Sequence, residues 1–368
     1  MSNILIVGGA GFIGTHLAKK LEKNKLNKIY ILDSFVSSVH KNKTPSNFSK
    51  NVTVIKDRAK NIYKYSFITN INYIYYLPSY TGTAESMYSV GKYYDYNVQD
   101  MAIFLECIGT IVHKMKLKKI ILSSSRSIYG EGAYSVNKKL IKDYDNYKAG
   151  KFDFYYDGKI IKHTSTKENF TPNPISIYAA TKLAQENLLS IFCDSKNIEH
   201  IIFRFQNVYG PGQSINNPYT GVISIFYNLM RNDKNINIYE DGKQSRDFVY
   251  IDDVIKVLVK SLKINTKNIL INIGTGKSTS ILKIAKIIKD ITKSKSIISV
   301  SGNYRIGDIR HARADLKILF REFGKINFVN INTGILNFHE YQKNFLIKSI
   351  DKDLIKSERE LKDSGLFS

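Results

Sequence analysis

The sequence predicts an α/β fold, a doubly wound parallel sheet with a smaller mixed α/β lobe in its C-terminal part. Three observations predict it. Apolar, β-rich runs at 3–8, 28–33, 52–56, 72–77, 118–124 and 198–205 alternate with stretches of helical periodicity such as 97–115 and 178–192, the order that builds a parallel sheet with helices on both faces. A glycine-rich turn joins the first run to the first helical stretch, and the second run ends on an acid.

Taken in order, Asn3-Ile-Leu-Ile-Val7 reads as a short strand and is followed by Gly8-Gly-Ala-Gly11-Phe12-Ile13-Gly14 and then by apolar residues at helical spacing. Strand, tight glycine turn and helix N-terminus make an anion site whose backbone N–H groups face a pyrophosphate, the Rossmann-type arrangement. Asp33 follows the run 28–32. An acid about twenty residues past the glycines accepts hydrogen bonds from the adenosine ribose and disfavours a 2′-phosphate, so NAD is expected over NADP; by itself Asp33 would also suit a turn or a helix cap. Run 118–124 leads into Ser123-Ser124-Ser125-Arg126-Ser127, and a parallel sheet presents ligands at the carboxyl ends of its strands, so one of these hydroxyls is expected in the crevice. Residues 131–170, rich in Lys, Asp, Tyr and Gly and poor in periodicity, read as an insertion or flap beside it. In Ser-Ile-Tyr178-Ala-Ala-Thr-Lys182 a helix places the phenol and the ammonium on one face, where the cation stabilises a phenolate able to take a proton from an alcohol.

The last third is mixed, with helical stretches at 219–230, 254–262 and 281–291 and strands at 236–239 and 248–251. The resulting division is a dinucleotide-binding domain over 1–205 with parts of 240–275, including the insertion 131–170, a discontinuous substrate lobe over 206–335, and a charged helical tail over 336–368 with frayed last residues.

Composition narrows the function. Apolar residues make up 43% of 368, but no uninterrupted apolar stretch is long enough for a membrane span, and a first strand at Asn3 leaves no space for a signal peptide, so a cytoplasmic location is expected. Cys107 and Cys193 are isolated from each other and the seven histidines lack ligand spacing, which predicts reduced packing thiols and no metal. The net charge of +23 is spread along the chain among Asn, Ile and Tyr rather than gathered into a stripe, and no nucleic-acid-binding motif accompanies it. Nucleic acid is not expected as a partner.

With the glycine turn, the serine run and the Tyr178–Lys182 pair together, residues 3–320 resemble the extended short-chain dehydrogenase/reductase superfamily of nucleotide-sugar epimerases and dehydratases. The resemblance implies Ser125 as the catalytic hydroxyl, Tyr178 as acid/base, and Lys182 as the group that lowers the tyrosine pKa and holds the nicotinamide ribose. It implies further cofactor contacts from Gly8, Gly11, Phe12, Ile13, Gly14, Asp33, Leu77 and the adenine-flanking pair Asp57 and Arg58. Nucleotide-sugar contacts are implied for Arg126, Asn207, Tyr239, Arg246, Arg305 and Asp308.

Dehydratases of this superfamily carry Asp-Glu directly after the catalytic hydroxyl; Arg126-Ser127 stand here, which weakens an elimination reading. The strings Ser-Ser-Ser-Arg-Ser-Ile-Tyr-Gly-Glu-Gly-Ala-Tyr134, Gln206–Ser214, Asn217–Gly221 and Glu240–Asp247, together with the long segment between Ser125 and Tyr178, resemble the dTDP-L-rhamnose 4-epimerase subfamily. That resemblance implies inversion at C4 through a 4-keto sugar with tightly bound NAD, dTDP-L-rhamnose giving dTDP-6-deoxy-L-talose for surface polysaccharide, in a homodimer formed through 97–115 and 178–192. Other sugar nucleotides, a 4,6-dehydratase or 4-keto reductase, and a non-catalytic NAD-binding scaffold remain alternatives. Tyr76-Leu77-Pro78-Ser79 departs from the superfamily's His-Leu-Ala-Ala, and Ala84-Glu85-Ser86 from its Gly-Gln-Ser.

Overall fold

The computed structural model describes residues 2–36, 47–136, 140, 142–217 and 221–367. Fourteen strands are formed among them: β1 (Ser2–Val7), β2 (Asn27–Asp33), β3 (Val52–Lys56), β4 (Tyr73–Tyr76), β5 (Lys119–Ser125), β6 (Tyr155–Tyr156), β7 (Lys159–Ile160), β8 (Glu199–Phe205), β9 (Asn207–Tyr209), β10 (Ile236–Ile238), β11 (Ser245–Tyr250), β12 (Ile269–Ile273), β13 (Ser278–Ser280) and β14 (Ile298–Val300). Seven make one sheet in the order β12-β8-β5-β4-β1-β2-β3, every pairing parallel. All six apolar runs expected as strands are in it; the seventh, β12, is one the run pattern did not single out.

Alternation along the strands divides the core in two. Ile4 and Ile6 of β1 face one apolar cluster, and Leu5 and Val7 face the other. The first is covered by helices Phe12–Leu21 and Ile251–Lys260, the second by Asp100–Ile111 and Ile177–Lys196. Cys193 packs in the second cluster and Cys107 against it, both thiols unpaired.

The strand order reverses between β1 and β4, so a crevice opens at the carboxyl ends of the two strands. Beyond the main sheet, β9, β11 and β13 form a three-stranded sheet and β10 pairs with β14, with helices Val222–Arg231 and Ile281–Thr292 packed beside them. The helical stretch expected at 219–230 starts at Val222 among the described residues; 218–220, and with them part of the Asn217–Gly221 string, lie outside.

The insertion carries, in its described part, the short helix Tyr144–Lys148 and the β6/β7 hairpin, and Tyr147 and Phe152 pack on Tyr304 of the C-terminal lobe. One expectation changes: the tail is not frayed over its described residues. Helix Asp351–Asp363 is followed by backbone pairing, with Ile306 N–H donating to Leu366 O at 3.0 Å and an antiparallel bridge between Arg305 and Phe367.

Arg310 ties the insertion to the lobe. Its side chain has no solvent exposure and is met by Asp153 at 2.9 Å, Glu240 at 2.8 Å and Asp241 at 2.6 Å. Burial works against the Asp241 carboxyl, but hydrogen bonds from Arg310 and the Lys243 N–H bring it down to about 2. Arg310→Met should destabilise the fold by about 2–4 kcal/mol, because it leaves the buried Glu240 carboxylate facing the half-buried Asp153 and Asp241; the shift of the urea midpoint measures this, and an unchanged midpoint would contradict the arrangement.

Candidate active site

A cavity of about 810 Å³ follows the carboxyl edge of the sheet. The sheet contributes Gly8, Gly11, Phe12, Ile13, Gly14, Asp33, Asp57 and Leu77 to its lining, the C-terminal lobe contributes Asn207, Tyr239, Arg246, Arg305 and Asp308, and Ser125, Tyr178 and Lys182 open onto the same space. Of the residues singled out from the sequence, Arg58 and Arg126 are not among its described lining residues.

The glycine turn has room for backbone alone. Gly8 has φ +72°, and a Cβ on it would stand 2.8 Å from Pro78 N; a Cβ on Gly14 would stand 2.5 Å from Gly8 O and from Gly9 Cα. The helix Phe12–Leu21 that follows has Gly11 at its N-cap and no side chain accepting from its first turn, which leaves those N–H groups for an anion. Asp33 braces the turn, its carboxylate accepting from Ala10 N–H at 3.0 Å and Phe35 N–H at 2.8 Å. These groups fit a dinucleotide: close-approach glycines, a helix N-terminus and an acid at the end of β2. Asp57 is held by Arg58 N–H, Asn61 and the Tyr65 hydroxyl. The Arg58 guanidinium forms a two-point pair with Asp100 at 3.0 and 2.8 Å and a contact with Asp95 at 2.9 Å, over the face of Tyr96; Asp100 and Tyr96 line the cavity.

Tyr178 enters from the start of helix Ile177–Lys196, which Ser176 caps by accepting from Ala179 N–H at 3.2 Å. Ser125 enters from the end of β5 and caps the 3₁₀ turn Arg126–Tyr129 by accepting from Ser127 N–H at 3.1 Å. Burial raises the Tyr178 phenol above its ordinary value, while hydrogen bonding with the Ser125 and Ser79 side chains and the Arg126 charge work in the opposite direction. The tyrosine and the serine line the same cavity, and Ser79, which replaces a small alanine of the superfamily pattern, lines it with them.

Lys182 is 1% exposed. Its Nζ donates to Ser123 O at 2.6 Å and to Gln185 Oε1. Burial pulls its pKa down to about 7, with Glu186 pulling the other way. The Arg126 charge works against the rise in the phenol pKa, and its own pKa is pushed down to about 10 by burial and by the neighbouring Arg246.

Several supporting groups had no motif to announce them. A π-helical turn, Tyr94–Gln99, brings the buried Asn97 against the loop after β4 and the tyrosine helix. Its side chain accepts from Tyr80 N–H at 2.8 Å and donates to Thr181 Oγ1 at 3.0 Å, and its carbonyl accepts from Gln185 at 2.6 Å. The one sequence signal for Gln185 is its place one turn after Lys182.

On the lobe side, Arg246 is oriented by three backbone carbonyls, donating to Ser245 O at 3.0 Å, Arg310 O at 3.2 Å and Ile309 O at 2.8 Å. Arg305 lies over the Tyr239 ring, 4.5 Å from its centroid, and donates to the Tyr239 hydroxyl at 2.8 Å. Asn207 starts β9, and Asp308 N–H donates to Arg305 O at 3.4 Å. Arginines at a concave face suit a diphosphate, whose oxygens match their planar fork.

The NAD dependent epimerase/dehydratase family model matches residues 4–274. The chain belongs to that family. It is similar to a dTDP-L-rhamnose 4-epimerase from Burkholderia thailandensis, 34% identical over 325 residues that cover 85% of this chain and 87% of the relative. It is also similar to a putative UDP-glucose 4-epimerase from Methanocaldococcus jannaschii, 31% identical with 78% and 81% covered. Among solved structures, a UDP-glucuronic acid 4-epimerase from Bacillus cereus in complex with UDP-glucuronic acid and NAD superposes with a TM-score of 0.76 at 26% identity, covering 93% of this chain and 99% of that one. A UDP-glucose 4-epimerase from Thermotoga maritima with UDP-glucose gives 0.75 at 25% identity, with 93% and 98% covered.

The glycine geometry generates a direct test. Gly14→Val forces a side chain into backbone already 2.5 Å from the Cβ position, so NAD affinity measured by calorimetry should fall by about a hundredfold or more. Retained affinity would remove the turn from the cofactor site.

Proposed function

We propose that the protein is an NAD-dependent isomerase that inverts C4 of a nucleotide-activated 6-deoxy sugar, converting dTDP-L-rhamnose to dTDP-6-deoxy-L-talose for surface polysaccharide. The placement of Ser125, Tyr178 and Lys182 on one cavity with the glycine turn carries the reaction class. The B. thailandensis relative and the strings around Ser125, Gln206 and Glu240 support the choice of sugar.

In this reading the Rossmann portion spans 1–205 with parts of 240–275, and the sugar-nucleotide lobe is drawn from 206–335. NAD, when bound, supplies reversible hydride exchange at the sugar C4, and Gly8, Gly11, Phe12, Ile13, Gly14, Asp33, Asp57 and Leu77 would hold it, with Lys182 at the nicotinamide ribose. Arg58 is committed to Asp95 and Asp100 and takes a supporting part. Tyr178 removes the proton from the C4 hydroxyl and returns it after the sugar has turned over. Ser125 hydrogen-bonds the same oxygen while carbonyl character develops on it. Arg246 and Arg305 clamp the diphosphate meanwhile, with Asn207, Tyr239 and Asp308 around them and Arg126 beside the sugar.

The proposal includes a cytoplasmic homodimer. Among the described helices none is long and apolar enough to cross a membrane, and Ile191, 71% exposed on the tyrosine helix, supports a packing surface there. A UDP-sugar as substrate is the second reading, supported by the M. jannaschii relative. The dehydratase alternative lacks an acid at Arg126-Ser127, and a scaffold would have no use for Ser125, Tyr178 and Lys182 together.

NMR of products from a panel of dTDP-, UDP- and GDP-sugars, with no cofactor added, tests the reading. Inversion of dTDP-L-rhamnose at C4 supports it; a persistent keto product or a need for added NADH contradicts it. Tyr178→Phe should lower turnover by about a thousandfold or more while NAD stays bound, and wild-type turnover in that variant would refute the assignment. Arg126 works against the rise in the phenol pKa, so its removal raises that pKa and keeps the proton on. Arg126→Met should therefore move the acid limb of the kcat profile to higher pH; an unmoved limb would contradict its part.

A further inference from the structure

Helix Asp351–Asp363 is almost wholly charged in sequence, yet Ser357 and Leu361 are buried. Leu354, Ser357, Glu358 and Leu361 recur at helical spacing, one face of the helix, and the first three line the active-site cavity. Glu358 is therefore an acid on the inward face of a tail helix, where a carboxylate calls for a specific partner. Its partner is the Tyr239 hydroxyl, which donates to Glu358 Oε1. Tyr239 in turn accepts from Arg305 Nη2 at 2.8 Å, so proton donation runs in one direction from Arg305 through Tyr239 to Glu358. Arg305 Nε is buried without a hydrogen-bond partner among the described residues. The tail is anchored on both banks of the cleft: Tyr88, on the sheet side, donates to Glu360 Oε2 at 3.1 Å, while Phe367 bridges Arg305 and meets the Tyr239 ring edge-on at 5.3 Å.

We infer that the tail helix is the outer wall of the nucleotide end of the cleft and that Glu358 is a positioning residue, holding Tyr239 and Arg305 in place for a nucleoside diphosphate. The inference rests on the nucleotide-sugar reading of this cavity and adds to it a segment outside the region that the family model matches, residues 4–274. The carboxylate accepts the phenol proton, which leaves a phenol lone pair facing Arg305. With an acceptor missing on that side, the hydroxyl is free to turn its proton toward the guanidinium, and the arginine loses the contact that holds it flat over the ring. Polarisation along the chain strengthens both bonds. The Arg305 N–H groups not spent on Tyr239, Nε included, are then presented to phosphate oxygens in a set orientation.

The test uses the full chain. In Glu358→Ala the dissociation constants of dTDP and UDP, measured by calorimetry on the NAD-loaded protein, should rise about tenfold, and the KM for the active nucleotide sugar should rise in parallel while kcat changes less than about twofold. Glu358→Gln keeps an acceptor for the phenol and should restore binding to within about threefold of wild type. Bound NAD and thermal midpoint, followed in both variants, separate positioning from folding. Unchanged nucleotide affinity in Glu358→Ala overturns the inference, as does tighter binding, the mark of a tail that competes with substrate. A loss of kcat, NAD and thermal midpoint together, not rescued by Gln, also overturns it in favour of a purely structural role. Calorimetry separates this from the broader proposal: if wild-type protein turns over no sugar nucleotide yet binds dTDP or UDP in a manner dependent on Glu358, the epimerase reading fails and the inference stands.

Discussion

A buried amine holds the candidate catalytic corner together. Lys182 Nζ joins the tyrosine helix to the end of β5 through Ser123 O, and Gln185 passes the link to Asn97 and so to the π-turn that leads into helix Asp100–Ile111. Ser125 and Tyr178 come from different elements, and that bond stands two residues from one and four from the other. Burying an ammonium is costly unless its donors are used, which is why its pKa falls to about 7 even with two acceptors in place. The corner tolerates this cost because the same side chain both fastens the helix and faces the cavity.

Around that corner the sheet side presents backbone N–H groups and the carboxylates Asp33 and Asp57; the lobe side presents Arg246 and Arg305 among the acids Glu240, Asp308 and Glu358. Arg246 is oriented by carbonyl oxygens, which direct a guanidinium without neutralising it. Arg246 is among the charges that push the Arg126 pKa down, and the Arg126 charge works against the rise in the Tyr178 pKa. The Arg310 cluster keeps the insertion pressed on the lobe and so closes the wall behind Arg246.

Much of this was legible in the chain. Apolar runs place six strands of the main sheet because a strand buried on both faces leaves an unbroken apolar signal. The glycine turn and Tyr178–Lys182 are legible because local geometry dictates them: a turn that excludes Cβ atoms and four residues of helix. What escaped depends on distant partners. Nothing near Arg58 announces Asp95 and Asp100, and nothing near Lys182 announces that its amine turns to Ser123 O while Arg126 acts on the phenol. Strand β12 is preceded by Asn268, contains Asn272 and lies at the sheet edge against β8. The tail looked like a solvated charged helix because its inward stripe holds two leucines, a serine and an acid. Only the cleft gives that acid a reason.

The account stands on an oxidation and re-reduction of one carbon beside Tyr178 and Ser125 in a sealed cleft. Deuterium placed at C4 of the sugar tests this most directly, with product formed in ordinary water and read by NMR and mass spectrometry. The account predicts an inverted C4 that keeps its deuterium, since the label leaves the sugar and returns within the same cleft. Inversion with the deuterium washed out to solvent would contradict it, for the stereocentre would then have been opened by proton exchange rather than by the chemistry assigned here.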